Sequence, residues 1–245
     1  MRLFGLIGYP LTHSFSKKYF DEKFEKEGLT DCRFENFPIK SIYDLKQVIL
    51  PGNPELEGVA VTIPYKQLVL QYLSTTEDIP SEIRACNCIR IVNGKLLGYN
   101  TDYIGFEKSI YPLLQEQQKK ALILGNGGAT ASVKYVLERK GVKTKVVSRK
   151  LHDGSVLTYQ DVDEAVIAEH TLIINTTPLG MYPDIQTAPD IPYEYITEEH
   201  LLFDMVYNPE KTEFLKRGEQ KGATIKNGYE MLVLQAEENW RIWNQ

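Results

Sequence analysis

Short apolar runs alternate with amphipathic stretches along the chain, and the spacing of each predicts an element. Arg2 to Ile7 reads as a strand, and Lys17 to Glu27 as a helix with Tyr19, Phe20 and Phe24 on one face. Cys32 to Phe37 is a second strand. Ile42 to Leu50 has helical spacing and is stopped by Pro51-Gly52; Gly58 to Ile63 is a buried strand, followed by a helix opening at Pro64. Cys88 to Val92 and Lys95 to Tyr99 flank Asn93-Gly94, a dipeptide that favours the positive φ angles of a tight hairpin. Strands alternating with helices in this way predict parallel βαβ construction.

A second βα series follows the polar stretch Gln115 to Lys120, which suits the end of a connecting helix and a hinge nearby. Ala121 to Leu124 is a strand, Ala129 to Lys140 a helix closed by Gly141, and Thr144 to Val147 a strand. Leu172 to Ile174 and Leu201 to Phe203 are further strands, and Thr212 to Lys221 is a helix. Tyr229 to Trp243 places Tyr229, Leu232, Val233, Ala236, Trp240 and Trp243 at helical spacing, which periodicity alone cannot assign to either lobe. Two series imply two open sheets.

Composition narrows the class. With 245 residues, 42% hydrophobic and 25% charged, the chain is an ordinary globular protein of one or two domains. A net charge of −5 disfavours nucleic acid and anionic membrane as partners. No apolar run reaches the length of about 18 residues expected of a membrane span, and the first residues turn polar too early for a secretory signal. The expected location is therefore cytoplasmic. The three cysteines, Cys32, Cys86 and Cys88, are too few and odd in number for a disulfide framework, and no second Cys pair or His cluster completes a zinc site, so no metal is expected.

The densest chemical signal is Gly125-Asn126-Gly127-Gly128-Ala129, set between a strand and a helix. Glycines there let backbone N–H groups approach a pyrophosphate at the positive end of the helix. Thr130 takes the place of the third glycine in the usual G-x-G-x-x-G, so the loop alone also reads as a plain glycine turn. After the next strand comes Ser148-Arg149-Lys150, where NAD enzymes carry an acid. A guanidinium pairs with a 2′-phosphate through parallel N–H bonds, which favours NADP; the bland alternative is a solvated basic pair.

Four polar constellations accompany the first series. His13-Ser14-Phe15-Ser16 offers two hydroxyls to a carboxylate, although either serine also serves as the N-cap of the helix at Lys17. Thr62 and Lys66 lie in Val61-Thr-Ile-Pro-Tyr-Lys66. Asn87 sits between two cysteines, and Asp102 lies in Gly98-Tyr-Asn-Thr-Asp-Tyr-Ile-Gly-Phe106. Reducing a carbonyl builds negative charge on oxygen, so such a site needs a cationic donor and a proton, and a lysine supplies both. An aspartate beside it can orient lysine and substrate.

Taken in order, the pieces Gly8-x-Pro10-x-x-His13-Ser-x-Ser16, Val61-Thr-x-Pro-x-Lys66, Cys86-Asn87, Asn100-Thr-Asp102-x-x-Gly105-Phe106 and Gly125-x-Gly-Gly-Ala129 are followed by three more. These are Asn175-Thr-Thr-Pro-x-Gly-Met181, Asp204-x-Val-Tyr-x-Pro209-x-x-Thr212 and Asn227-Gly-x-x-Met-Leu-x-x-Gln-Ala236. The chain resembles the shikimate dehydrogenase family from one end to the other. The resemblance implies an α/β fold with an N-terminal open substrate lobe and a Rossmann-type dinucleotide lobe, the C-terminal helix returning to the first. Its expected division is 1–103 plus 228–245 for substrate and 104–227 for NADP. It implies reduction of 3-dehydroshikimate to shikimate with NADPH, in chorismate and aromatic amino acid biosynthesis. Lys66 and Asp102 would be the catalytic pair, and Ser14, Ser16, Thr62, Asn87, Tyr207 and Gln235 the substrate contacts. Cofactor contacts would be Gly125 to Ala129, Ser148, Arg149, Lys150, Thr176, Met205 and Gly228. The partner is a small molecule, with a homodimer as the candidate assembly.

The chain departs from the family pattern at several positions. Lys17-Lys-Tyr-Phe-Asp21 replaces Pro-x-x-His-Asn, and the second arginine common a few residues after the position of Arg149 is missing. Ala60 and Cys88 stand where Asn and Thr are common, changes expected at the pocket wall. Two rival readings are a quinate or dual quinate/shikimate dehydrogenase and a ligand-sensing relative without catalysis.

Overall fold

The computed structural model describes residues 1–12, 14–49, 53–150 and 157–245. His13 and the expected helix stop at Pro51-Gly52 lie outside them. The described chain forms two compact units, Met1–Thr101 with Ala236–Gln245, and Asp102–Gln235. The polar stretch at Gln115 to Lys120 is not where the chain divides.

The first unit begins with β1 (Arg2–Gly8), α1 (Phe15–Glu27), β2 (Cys32–Pro38), α2 (Leu45–Ile49) and β3 (Leu56–Val61). It continues with β4 (Thr75–Asp78), β5 (Cys88–Val92) and β6 (Lys95–Tyr99). Its six strands lie in the order β2-β1-β3-β5-β6-β4. β1 is parallel to β2 and β3, but β5 runs antiparallel to both β3 and β6, so the sheet is mixed rather than parallel throughout. The hairpin forms as its dipeptide predicts, with φ of 50° at Asn93 and 75° at Gly94. The helix expected at Pro64 does not form. Only residues 67–74 separate Lys66 from β4, Tyr65 is buried with its hydroxyl donating to the Ile39 carbonyl (2.7 Å), and the chain tightens into a 3-10 stretch, Leu68–Tyr72.

The second unit contains α3 (Asp102–Ile110), β7 (Lys120–Leu124), α4 (Gly128–Arg139), β8 (Lys143–Ser148) and β9 (Leu157–Thr158). It goes on through α5 (Glu164–Glu169), β10 (Leu172–Asn175), β11 (Leu201–Asp204), α6 (Glu213–Glu219) and β12 (Thr224–Lys226). The last helix, α7 (Tyr229–Trp243), begins in this unit and ends in the first. Gln115 to Lys119 is a turn and not a helix end: the Gln118 side chain accepts the Gln115 N–H (3.0 Å), and β7 already starts at Lys120. All pairings in the sheet are parallel, in the order β12-β11-β10-β7-β8-β9. Numbered within the unit and read from β9, this is the 3-2-1-4-5-6 order of a dinucleotide-binding sheet, with its switch point where β7 meets β10.

Alternation along the strands gives each sheet two apolar faces. In the first unit Ile7, Val59 and Ile89 pack on one side; Phe4, Ala60 and Cys88 pack on the other, under Trp240 and Trp243 of α7. Ala60 and Cys88 are directly paired in β3 and β5, 6% and 0% exposed. They therefore belong to the core beneath α7 and not to a pocket wall. Trp243 stacks on Phe4 and donates its indole N–H to the Ile89 carbonyl (3.0 Å), so the end of the chain is fastened to the first sheet.

Candidate functional site

In the first unit the candidate residues gather at one edge of the sheet, and the antiparallel turn of β5 is the reason. Its amino end meets the carboxyl end of β3, so the Val61 N–H bonds the Asn87 carbonyl (2.8 Å) while the Thr62 N–H bonds Ile7 of β1 (2.9 Å). The Lys66 carbonyl accepts the Cys86 N–H (2.8 Å), which places the lysine backbone beside Asn87. Thr62 and Lys66 are half-buried at this edge.

Ser14 and Ser16 follow β1. Ser14 is the N-cap of α1 by backbone conformation, yet its hydroxyl makes no capping bond. Its Oγ is buried with no hydrogen-bond partner among the described residues. A buried hydroxyl is ordinarily paired, so this one keeps a hydrogen bond to give that no described residue takes up. Lys17, at the rearranged helix start, instead donates to the Phe34 carbonyl of β2 (2.6 Å) and holds α1 to the sheet.

Asn87 is fixed by residues that the sequence does not single out. The Thr101 N–H, which can only donate, bonds Asn87 Oδ1 (2.6 Å), so the amide orientation follows; Asn87 Nδ2 donates to Thr101 Oγ1 (2.9 Å). That hydroxyl in turn donates to Asn239 Oδ1 of α7 (2.6 Å). All three residues are at most 2% exposed.

Asp102, Tyr207 and Gln235 fall in the second unit, with the cofactor candidates. Asp102 is the first residue of α3 and is half-buried. Burial raises the Tyr207 phenol above its ordinary range. Gln235 donates to the Leu232 carbonyl (2.8 Å) within α7.

The glycine loop lies at the switch point. Gly125 has φ of 109°, and a Cβ there would stand 2.8 Å from Thr176 Oγ1, so both conformation and space demand glycine. Thr130 is structural: its hydroxyl accepts the Gly127 N–H (3.1 Å), donates to the Gly125 carbonyl (3.0 Å) and lies 3.0 Å from Thr176 Oγ1. Gly127 and Gly128 differ, because neither has positive φ and a Cβ on either meets nothing within 4 Å. Nothing among the described residues requires glycine there, whereas a phosphate brought against the backbone at the start of α4 would. The residues thus fit a dinucleotide. Asn126 is exposed and Ala129 half-buried.

Ser148 is buried at the end of β8 and donates to the Lys150 carbonyl, bending the loop that leaves Arg149 and Lys150 exposed. Thr176 follows β10 and donates to the Leu124 carbonyl (2.9 Å). Met205 follows β11, its N–H on the Asn175 carbonyl (3.0 Å), and Gly228 lies against the Met205 carbonyl where no Cβ would fit. Among the described residues no group of three or more His, Cys, Asp or Glu could hold a metal ion, all three cysteines are free thiols, and no helix is long and apolar enough to cross a membrane.

Asp204, at the end of β11, is fully buried, and burial pushes its carboxyl up to about 6 from 3.8 despite the hydrogen bonds that pull it down. The Tyr193 phenol, raised first by its own burial, also feels the Asp204 charge. Because the raised value favours the protonated form, the stability contributed by this group is present below pH 3.8 and lost as pH rises through about 6. Asp204→Asn is expected to flatten that part of the stability profile, by about 3 kcal/mol in all. Urea unfolding from pH 4 to 8 measures it, and equal slopes in both proteins would contradict the assignment.

Fold and site define an α/β protein whose second unit is of the Rossmann dinucleotide-binding type. Residues 6–89 match the family described as the shikimate dehydrogenase substrate binding domain. The chain is 37% identical over 263 residues to the shikimate dehydrogenase (NADP(+)) of Clostridium beijerinckii, covering 100% of this chain and 93% of the relative. The shikimate 5-dehydrogenase of Thermus thermophilus, solved in complex with NADP(H) and shikimate, superposes with a TM-score of 0.85 at 28% identity, covering 99% and 93% of the two chains. The quinate dehydrogenase of Corynebacterium glutamicum, solved with NAD, gives 0.85 at 25% identity, with coverage of 99% and 93%. The chain belongs to the shikimate dehydrogenase family.

Proposed function

We propose that the protein catalyses the reversible reduction of 3-dehydroshikimate to shikimate with NADPH, a step of chorismate and aromatic amino acid biosynthesis. The observation that carries this reading is the relationship to NADP(+)-dependent shikimate dehydrogenases over the whole chain. In this reading residues 1–103 and 228–245 serve the substrate and 104–227 serve NADP. The free cysteines favour a reducing, cytoplasmic setting.

Ser14 and Ser16 donate to the substrate carboxylate, a role supported by the unpartnered Ser14 hydroxyl. Thr62, Asn87, Tyr207 and Gln235 bind the ring hydroxyls. The backbone of Gly125 to Ala129 cradles the pyrophosphate, Arg149 and Lys150 with the Ser148 turn hold the 2′-phosphate, and Thr176, Met205 and Gly228 complete the cofactor contacts. When bound, the nicotinamide supplies the hydride. Lys66 Nζ holds the carbonyl oxygen, stabilises the negative charge that builds on it and gives it a proton, leaving an alcohol and a neutral amine that solvent reprotonates. Asp102 accepts a hydrogen bond from the neighbouring ring hydroxyl and orients the ring.

Incubating the purified protein with 3-dehydroshikimate and NADPH and identifying the product tests this; recovery of unchanged substrate would refute it. Turnover of quinate is the second reading, favoured by the likeness to a quinate dehydrogenase. Arg149→Ala should raise KM for NADP by about tenfold, as expected for losing a charge-assisted pair, and leave NAD nearly untouched. A parallel loss with both cofactors would remove Arg149 from the 2′-phosphate site.

A further inference from the structure

Asp204 is a buried acid that the mechanism above does not use. Among the described residues it is paired with no cation, and a desolvated carboxylate without one destabilises the fold. What it has instead is three donors from three separate segments. Oδ1 accepts Asn175 Nδ2 (3.0 Å) from the end of β10 and the Val206 N–H (3.0 Å) from the turn after β11, and Oδ2 accepts the Thr212 hydroxyl (2.5 Å) from the N-cap of α6. An ionised carboxylate is acceptor-only and can take all three at once, whereas an asparagine must present a donor to one of them.

The donors are themselves committed. Asn175 Oδ1 accepts both the N–H (3.0 Å) and the hydroxyl (2.6 Å) of Thr177, so its amide is oriented with nitrogen toward Asp204. Thr212 Oγ1 also accepts the Leu215 N–H (3.4 Å) and caps α6. The segments gathered in this way are the Asn175–Thr177 loop, which carries Thr176, and the Met205–Tyr207 turn. The Gly228 N–H closes on the same turn at the Val206 carbonyl (3.2 Å).

We propose that Asp204 is a positioning residue for the reaction: by collecting Asn175, Val206 and Thr212 on one buried carboxylate, it sets the Thr176 loop and the Met205–Tyr207 turn in the geometry that receives NADP. The role rests on the reading that Thr176 and Met205 contact the cofactor. It explains why an acid stands where a neutral residue would fold at lower cost.

The test measures NADP binding by titration calorimetry, beside steady-state kinetics and thermal unfolding, for wild type, Asp204→Asn, Asp204→Ala, Thr212→Val and Thr212→Ser. Thr212→Val and Asp204→Asn are expected to weaken NADP binding by about tenfold, the loss of one hydrogen bond to a charged group, and Asp204→Ala by more. Thr212→Ser, which keeps the hydroxyl, should stay within about twofold of wild type. Asp204→Asn should at the same time be at least as stable as wild type at pH 8. Variants that lose thermal stability but keep wild-type NADP affinity and KM would overturn the proposal and leave Asp204 a structural residue. Should Asp204→Ala fail to fold, Asp204→Asn and Thr212→Val decide the matter. A wild type that binds no NADP would refute the cofactor reading and this role with it, while normal wild-type binding with unchanged variants refutes this role alone.

Discussion

Lys66→Ala is expected to lower kcat by about a hundred- to ten-thousandfold, the range for removing a positioned acid, while KM for shikimate changes by about threefold or less. The asymmetry follows from the charge it meets. In the proposed site the lysine would face a polarised carbonyl in the ground state and, in the transition state, an oxygen carrying most of a negative charge, so its interaction would strengthen where the barrier is set. The residue is also well placed to be altered without collapse. It is half-buried, it follows β3 in a segment whose packing is carried by buried Tyr65 and Val69, and its backbone bond to Cys86 survives the substitution. Stopped-flow single turnovers with the variant separate binding from chemistry. Equal losses in kcat and in substrate affinity would assign Lys66 to binding alone.

Gly127→Val is expected to separate folding from function in the cofactor unit. Its φ of −96° and ψ of −174° suit a β-branched residue, and a Cβ there meets no protein atom within 4 Å, so unfolding stability should change by about 0.5 kcal/mol at most. A valine would instead occupy the space over the start of α4 that a pyrophosphate needs, and should weaken NADP binding by about tenfold to a hundredfold. Calorimetric titration with chemical unfolding reads both quantities on one sample. Gly125→Val supplies the contrast: at φ of 109° and against Thr176 it should destabilise the unit itself. Unchanged NADP affinity in Gly127→Val would show that the open backbone is not where the phosphates lie.

Much of this architecture was legible because it is local. The Asn93-Gly94 hairpin, the Gly125 turn and the amphipathic run ending at Trp243 are written in neighbouring residues, and each appears where its spacing places it. Features that depend on distant pairing were not legible. The reversal of β5 against β3 makes the first sheet mixed and carries Asn87 to the end of β3 beside Thr62 and Lys66, and no short-range pattern specifies it. Nor could the sequence show that Ala60 and Cys88 face one another beneath Trp243, where a polar pair would be buried; their departure from the family pattern is a packing change. The four-residue β10 and β11 are apolar runs and could be read, whereas β4 is the polar Thr-Thr-Glu-Asp and β9 and β12 have two and three residues, too little pattern to distinguish a strand.

The candidate site divides in the same manner. Residue types with an intrinsic chemistry, such as the lysine, the paired serines and the basic loop, stood out in the sequence. Residues that act by holding others did not. Thr130 looked like a flaw in a glycine motif and is the bracket of that loop, while Thr101 and Asn239, far apart in sequence, together fix the amide of Asn87. The motif Asn100-Thr-Asp102 contained the first signal, but only the structure shows that its threonine serves the asparagine.

Initial rates of the purified protein with shikimate and quinate, each crossed with NADP and NAD, decide between the activities. The kcat/KM for shikimate with NADP is expected to exceed that of the other three combinations, and to collapse in Lys66→Ala. Equal or greater efficiency with quinate would move the substrate assignment, and no turnover in any combination would contradict the proposed activity.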